Sequence, residues 1–426
     1  MLTPIALIFV SAMVFGAATS GMLHGAEPFA TWYYPFAWFP TLLAADAALR
    51  LKTGRYLLLS QPARTLALVV WSVPFWLFFE LLNFRVANWY YVFVPADAVP
   101  RWSGIVLSFA TVLPAIVMAQ ATLEASGVAE GVRWRRLPVS RTLLAALQGA
   151  GILFFALALA WPRLFFPLIW GGVTLLVDPW VYRRDPGRSL VGALERGRPG
   201  VILRILLGGL AIGFLWELYN ARARGHWIYT VPGMEEVKLF EMPVLGFLGF
   251  PVLALDGWVA WNALVLARLA PGEGTPANRR RVALAVPLAL AASVGVLRGM
   301  ERWTVTSATP VLSEVVGAAA PRLQAAGMSV FTLAHADPGH VAEAADTAVD
   351  VARDWVRAAR LMTLRGIGAA NARALEQAGV PSVDALARAD ARELAGRLRQ
   401  AGVPRITDAR VRVWVRAARR QAGGGS

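Results

Sequence analysis

ELLNFRVANWYYVFVP (residues 80–95) and ELYNARARGHWIYTVP (residues 217–232) are two copies of one stretch. Glu80, Asn83, Arg85 and Pro95 return as Glu217, Asn220, Arg222 and Pro232, each 137 residues later, and Pro114 returns as Pro251 at the same offset. A one-residue slip in the middle aligns Trp89 with Trp227 and Tyr91 with Tyr229. Upstream, Pro35, Trp38, Asp46 and Gly54-Arg55 have counterparts in Pro167, Trp170, Asp178 and Gly187-Arg188. A register kept over that many polar and proline positions marks an internal duplication.

The surroundings of the repeat place it in a membrane. Hydrophobic residues make up 57% of the 426 and charged ones 16%, too little polar surface for a soluble chain. Apolar runs able to cross a hydrocarbon core of ~30 Å lie near 3–22, 31–50, 65–83, 102–123, 142–161, 164–182, 201–219, 240–266 and 282–300, which predicts about nine spans. The first run lacks a basic leader and a small-x-small cleavage site before His24, so it reads as a retained helix. With no cysteine, disulfides, Cys-ligated zinc and thiol catalysis are excluded. No pattern indicates a metal site, and none identifies a cofactor.

The net charge of +15 is largely topogenic. Basic residues gather on alternate loops, around Arg55, Arg135, Arg188 and Arg280, which the positive-inside rule assigns to the cytoplasm of a bacterial inner membrane. The opposite loops are rich in Trp and Tyr, the composition of an interfacial aromatic belt. The amino terminus is then inside, and nine spans put the tail outside. The predicted fold is all-α: a transmembrane domain over 1–300 and a small soluble helical domain over 301–426. Repeat 1 covers about 1–127, repeat 2 about 140–270, and 282–300 is an extra span. Four helices per repeat give a parallel 4+4 arrangement with both copies in one orientation.

This topology sets the candidate site. Glu80 and Glu217 fall late in the third and seventh spans, near the outer interface, with Asn83 and Asn220 one turn on and on the same face. Glu241 opens the eighth span, which Pro243 and Pro251 should break or kink. Ionisable groups within spans are costly and mark function by default. Glu80, Glu217 and Glu241 are therefore candidate catalytic residues, with Asn83, Trp89, Tyr91, Asn220, Trp227 and Tyr229 as substrate-binding residues. Pairing of the glutamates with Arg85 and Arg222, or across the repeat interface, is an equal alternative. Asp46 and Asp178, shortly before arginine-rich loops, read as structural.

Past Met300 the chain turns Ala- and Arg-rich with the periodicity of short amphipathic helices. LQAAGMSV (323–330) corresponds to LEQAGVPSV (375–383), and DWVRAAR (354–360) to VWVRAAR (413–419), so two tandem modules follow one another. The second opens LRGIGAANARAL (364–375), which resembles the helix-hairpin-helix pattern, and the tandem resembles DUF4332-type pairs of such modules. That resemblance implies that Gly366, Ile367 and Gly368 offer backbone N–H groups to a phosphate, possible in nucleic acid but with a protein partner preferred. The first module has Val315-Val316-Gly317 in that place and should not form the same hairpin.

The WEL-x-N and FEMP-x-LG stretches resemble a group of uncharacterised bacterial polytopic membrane proteins. Phe78-Phe79 before Glu80 gives a fainter similarity to integral-membrane carotenoid cyclases, which implies protonation of an apolar chain by a carboxylate beside aromatic faces. The favoured function is binding or modifying a lipid or isoprenoid at the outer Glu/Asn/Trp/Tyr set, with membrane lipids as partners. A small-molecule or ion-coupled transporter is one alternative, and a membrane-tethered scaffold or DNA-binding protein is the other.

Overall fold

In hydrocarbon only intrahelical bonds satisfy every backbone N–H and C=O of an isolated segment, so the apolar runs fold as helices. The computed structural model describes residues 3–234, 237–272 and 274–423. The chain divides into two units, one holding 1–88, 99–223 and 231–300, the other 89–98, 224–230 and 301–426.

The first unit contains α1 (Pro4–Leu23), α2 (Tyr33–Thr53), α3 (Pro62–Val86), α4 (Ala98–Phe109), α5 (Val112–Ala125) and α6 (Arg141–Ala160). It continues with α7 (Pro162–Phe165), α8 (Gly172–Arg184), α9 (Leu190–Glu195), α10 (Gly200–Arg222), α11 (Gly249–Leu266) and α12 (Arg279–Trp303). Among the described residues, eight helical segments are long and apolar enough to cross a membrane. The expected second span is the exception. It is a 21-residue helix, α2, but Tyr33, Tyr34, two prolines, Asp46 and Arg50 make it more polar. The reason is its position: α2 packs on α1, α5 and α10, and Tyr34, Ala37, Trp38 and Ala47 are buried.

The duplication is visible in the packing. α1 lies on α2 as α6 lies on α8, α3 on α5 as α10 on α11, and α2 on α5 as α8 on α11. Contacts between the copies are reciprocal. Trp38 of the first repeat meets Trp216 of the second at 6.1 Å, while Trp170, the counterpart of Trp38, stacks on Phe79, the counterpart of Trp216, at 5.2 Å. Reciprocal contacts of this kind are what a two-fold relation requires. Glycines set the closest approach: a Cβ on Gly213 would lie 2.3 Å from the Phe250 ring, and one on Gly209 2.8 Å from the Phe250 carbonyl oxygen.

Several spans are discontinuous, and side chains bridge the breaks. Between α4 and α5, the Ser72 hydroxyl donates to the Phe109 carbonyl oxygen at 2.5 Å and accepts from the Leu113 N–H at 3.0 Å. The sixth span passes through a 3-10 turn over Phe166–Ile169 and a left-handed Gly171 before α8. The eighth begins as a short antiparallel pairing of Lys238–Leu239 with Met242–Pro243, then a 3-10 turn, then α11. The break expected from Pro243 and Pro251 is therefore present.

The second unit is built on strands from both repeats. β1 (Trp89–Val92) and β2 (His226–Tyr229) pair antiparallel, Trp89 opposite Tyr229, Tyr90 opposite Ile228 and Tyr91 opposite Trp227. Trp89 and Trp227 are equivalent, as are Tyr91 and Tyr229, so this register is itself two-fold symmetric about the Tyr90–Ile228 pair. Inverted repeats would send these loops to opposite faces of a membrane; a shared sheet requires parallel ones. The stretch 304–309 runs beside β1: Tyr91 N–H donates to Thr304 O at 2.8 Å, Thr306 N–H to Tyr91 O at 2.9 Å and Thr309 N–H to Val94 O at 2.9 Å. The aromatic residues expected in an interfacial belt are instead buried here. Trp89, Tyr90, Tyr91 and Tyr229 are each under a tenth exposed, and Tyr90 packs in a core with Val92, Phe93, Ile228 and Val413.

The remainder of this unit is two successive helical modules. α13 (Ser313–Val316), α14 (Ala320–Ala325), α15 (Val330–Leu333), α16 (Pro338–Ala345) and α17 (Val349–Thr363) surround one core. α18 (Gly368–Gln377), α19 (Val383–Arg388), α20 (Ala391–Gln400) and α21 (Asp408–Gly423) surround the other. Leu323, Val330, Leu333 and Val341 are buried where Leu375, Val383, Leu386 and Leu394 are buried in the second copy.

Candidate functional site

Late turns of α3 and α10 hold the duplicated carboxylates inside the first unit. Glu80 and Glu217 have no exposed surface, and Asn83 and Asn220 one turn on are equally enclosed. Each carboxylate sits in an aromatic shell. The Trp76 indole N–H donates to Glu80 Oε1 at 3.1 Å, and Trp76 packs on Phe79 at 6.0 Å. Glu217 lies within electrostatic reach of the buried Tyr34 hydroxyl. Its neighbours Trp216 and Tyr219 both meet Trp38, the latter edge-on at 5.5 Å. The Tyr219 hydroxyl shares a hydrogen bond of 3.0 Å with Thr41. Asn83 is engaged structurally, its Oδ1 accepting from Asn88 N–H at 2.9 Å as α3 ends. Glu241 sits in the turn between Leu239 and Met242, 6% exposed.

The predicted constellation is thus divided. Glu80, Glu217, Glu241, Asn83 and Asn220 belong to the first unit, and Trp89, Tyr91, Trp227 and Tyr229 to the second. Within the second, strand pairing brings Trp89 against Tyr229 and Tyr91 against Trp227.

Asp46 and Asp178 are structural in the same way. Asp46 accepts from the N–H groups of Leu57, Leu58 and Leu59 at 2.5, 3.1 and 3.0 Å. Asp178 accepts from the Ser189 hydroxyl at 2.8 Å and the N–H groups of Leu190 and Val191 at 3.0 and 2.8 Å. The donors follow each aspartate at the same spacing, so each carboxylate clamps the Gly-Arg loop of its own repeat.

Asp256 went unread in the sequence. It is fully buried on α11 and accepts from Gly171 N–H at 2.8 Å and from Thr174 N–H and Oγ1 at 2.7 and 2.6 Å. It caps the start of α8, where the broken span leaves N–H groups without intrahelical acceptors. The signal available was a lone Asp in an apolar run, with Ala119 in the corresponding place of the first repeat.

The glycine turn of the second module does not present a free anion site. Gly366 and Gly368 adopt φ of +76° and +71°, as the tight turn requires. A Cβ on Gly366 would lie 2.3 Å from Val92, and one on Gly368 2.7 Å from Ser307, while Ile367 is fully buried. The face read as phosphate-binding is covered by the chain's own strands. Arg410 is drawn into this packing, its guanidinium 4.6 Å from the Tyr90 ring centroid, and burial pushes it down to about 10. Replacing Arg410 with Ala should cost the second unit about 2–4 kcal/mol, through the lost stack and the orphaned Arg405 carbonyl it serves. Thermal unfolding checks this; an unchanged midpoint would show the stack is dispensable.

Among the described residues no group of three or more His, Cys, Asp or Glu could hold a metal ion. No curated protein and no solved structure matches the chain. Residues 316–421 match a family described as a domain of unknown function, DUF4332, so this is a helical, multi-pass type of membrane protein whose tail carries a DUF4332 domain.

Proposed function

We infer that the protein binds or modifies a lipid or isoprenoid within its duplicated helical bundle. The observation that carries this is the pair Glu80 and Glu217, duplicated, without exposed surface and each set among aromatic rings. A carboxylate within a spanning helix is costly unless it faces a partner or a cavity. Beside aromatic faces it is suited to protonating an apolar chain and steadying the resulting cation, or to holding an amphiphile's polar end. The test is extraction in mild detergent followed by lipid analysis of the purified protein. Glu217→Gln should remove the retained lipid or the activity while leaving expression intact, and Glu241→Gln should do the same. Equal loss of folded protein would favour a purely structural pairing.

Transport is the second reading, favoured by the discontinuous fourth, sixth and eighth spans. The charge of the loops supports an orientation. Arginine-rich loops inside and nine spans support a tail outside the bacterial inner membrane. A cysteine at the exposed Gln324 should then react with an impermeant maleimide on whole cells. Protection until lysis would reverse the orientation.

A further inference from the structure

The two clamped loops close around one cavity of about 730 Å3, within the size range of small-molecule sites. It lies at the end of the bundle that carries the arginine-rich loops. The first repeat contributes Arg55 and Arg64, the second Arg188, Arg196, Arg198 and Arg204, and the connection between them Arg133. Against these arginines stand two carboxylates, Glu124 and Glu130. Arg204 is tied to Glu124 at 2.8 Å and Arg188 to Asp185 at 3.3 Å, which orients them without neutralising the set. The Arg64 guanidinium lies 6.0 Å from the Trp261 ring centroid.

The loops beneath are fixed. Asp46 holds residues 57–59 and Asp178 holds 189–191, and main-chain bonds from Trp134 N–H to Gly197 O and Leu137 N–H to Leu194 O, each 3.1 Å, lace the connection to the second loop. Arg55 and Arg188 are carried on these prearranged loops, and Arg64 and Arg204 near the starts of α3 and α10, so their backbones lose little freedom on binding. Deeper in, the lining changes to Val117, Trp261 and Val265, with the enclosed Gln120 and Asn262 as the polar groups. Planar guanidinium forks match phosphate oxygens bidentately, and a charged rim over an apolar floor matches an amphiphile.

We propose that this cavity binds a phosphate-bearing ligand, its anion held by Arg55, Arg64, Arg188 and Arg204. The proposal stands on the cavity alone and does not depend on the role of Glu80 and Glu217. The phosphate comes either from a lipid head group or from a soluble phosphate compound, and the chemistry at the rim is the same.

The test uses the full-length protein in uncharged detergent, with dioctanoyl phosphatidic acid and inorganic pyrophosphate as separate probes read by calorimetry at fixed salt. One saturable site per chain is expected, weakened at least ~10-fold, or about 1.4 kcal/mol, by Arg64→Gln with Arg204→Gln. Arg279→Gln with Arg280→Gln, exposed arginines outside the cavity, should leave it unchanged. Phosphatidate binding without pyrophosphate binding identifies a lipid head group, pyrophosphate binding without phosphatidate binding identifies a soluble ligand, and competition between the two shows one phosphate site open to both. Should the first pair fail to fold, Arg198→Gln at the exposed rim serves, with several-fold weakening expected and undiminished affinity counting against the site. No saturable binding, or equal loss in the cavity and control pairs, means diffuse attraction to basic loops and overturns the proposal.

Discussion

Gly366→Ala is expected to destabilise the second unit by about 2–5 kcal/mol, the sum of a left-handed backbone forced on a residue with a Cβ and an overpacked contact. The added methyl would sit 2.3 Å from Val92, a fully buried residue on β1, and φ at this position is +76°. Because the clash is with the Val92 side chain, whose two γ-methyls lie 2.3 and 2.8 Å from the added carbon, Val92→Ala should relieve part of it. The double variant should therefore lose less than the two single variants combined. Thermal unfolding and protease resistance of residues 301–423 in the full-length protein read the effect. Strict additivity, or a Gly366→Ala protein as resistant as the parent, would show that the turn does not pack on β1. The same packing predicts that a tail excised at 301 exposes a face its own strands normally cover. Any nucleic-acid binding by such a fragment would report that exposed face.

Loss of the loop clamps should be comparably severe. Asp178→Ala removes the acceptor for the Ser189 hydroxyl and the N–H groups of Leu190 and Val191, all buried. Each stranded donor costs roughly 1–3 kcal/mol, so the variant should yield little folded protein. Asp178→Asn keeps one acceptor oxygen and should fall between. Asp46→Ala should behave like Asp178→Ala, since Leu57, Leu58 and Leu59 depend on it in the same way. Fluorescence-detected size exclusion gives the comparison. A full yield of monodisperse Asp178→Ala protein would remove the clamp from the account. If that variant folds but binds no phosphate probe, the aspartate serves by positioning Arg188.

The sequence by itself determined the helical class, the duplicated halves and the modular tail, because these rest on local composition and on register along the chain. A run of 20 apolar residues specifies a helix wherever it lies, and a residue repeated at a fixed offset needs no tertiary information to be found. It also pointed to Asp46 and Asp178 as structural, since they precede arginine-rich loops, and left Glu80 and Glu217 open between a site and a structural pairing. What the tertiary structure alone decided was which segments meet. The aromatic loops pair with each other and with 304–309, turning expected membrane anchors into buried strands. The glycine turn packs on one of those strands, and seven arginines of the loops and adjoining helix ends, each explicable singly as a topological signal, close around one cavity. Asp256 caps a helix 82–85 residues before it in sequence. Such contacts depend on distances between remote segments, and nothing in the local pattern of residues encodes those distances.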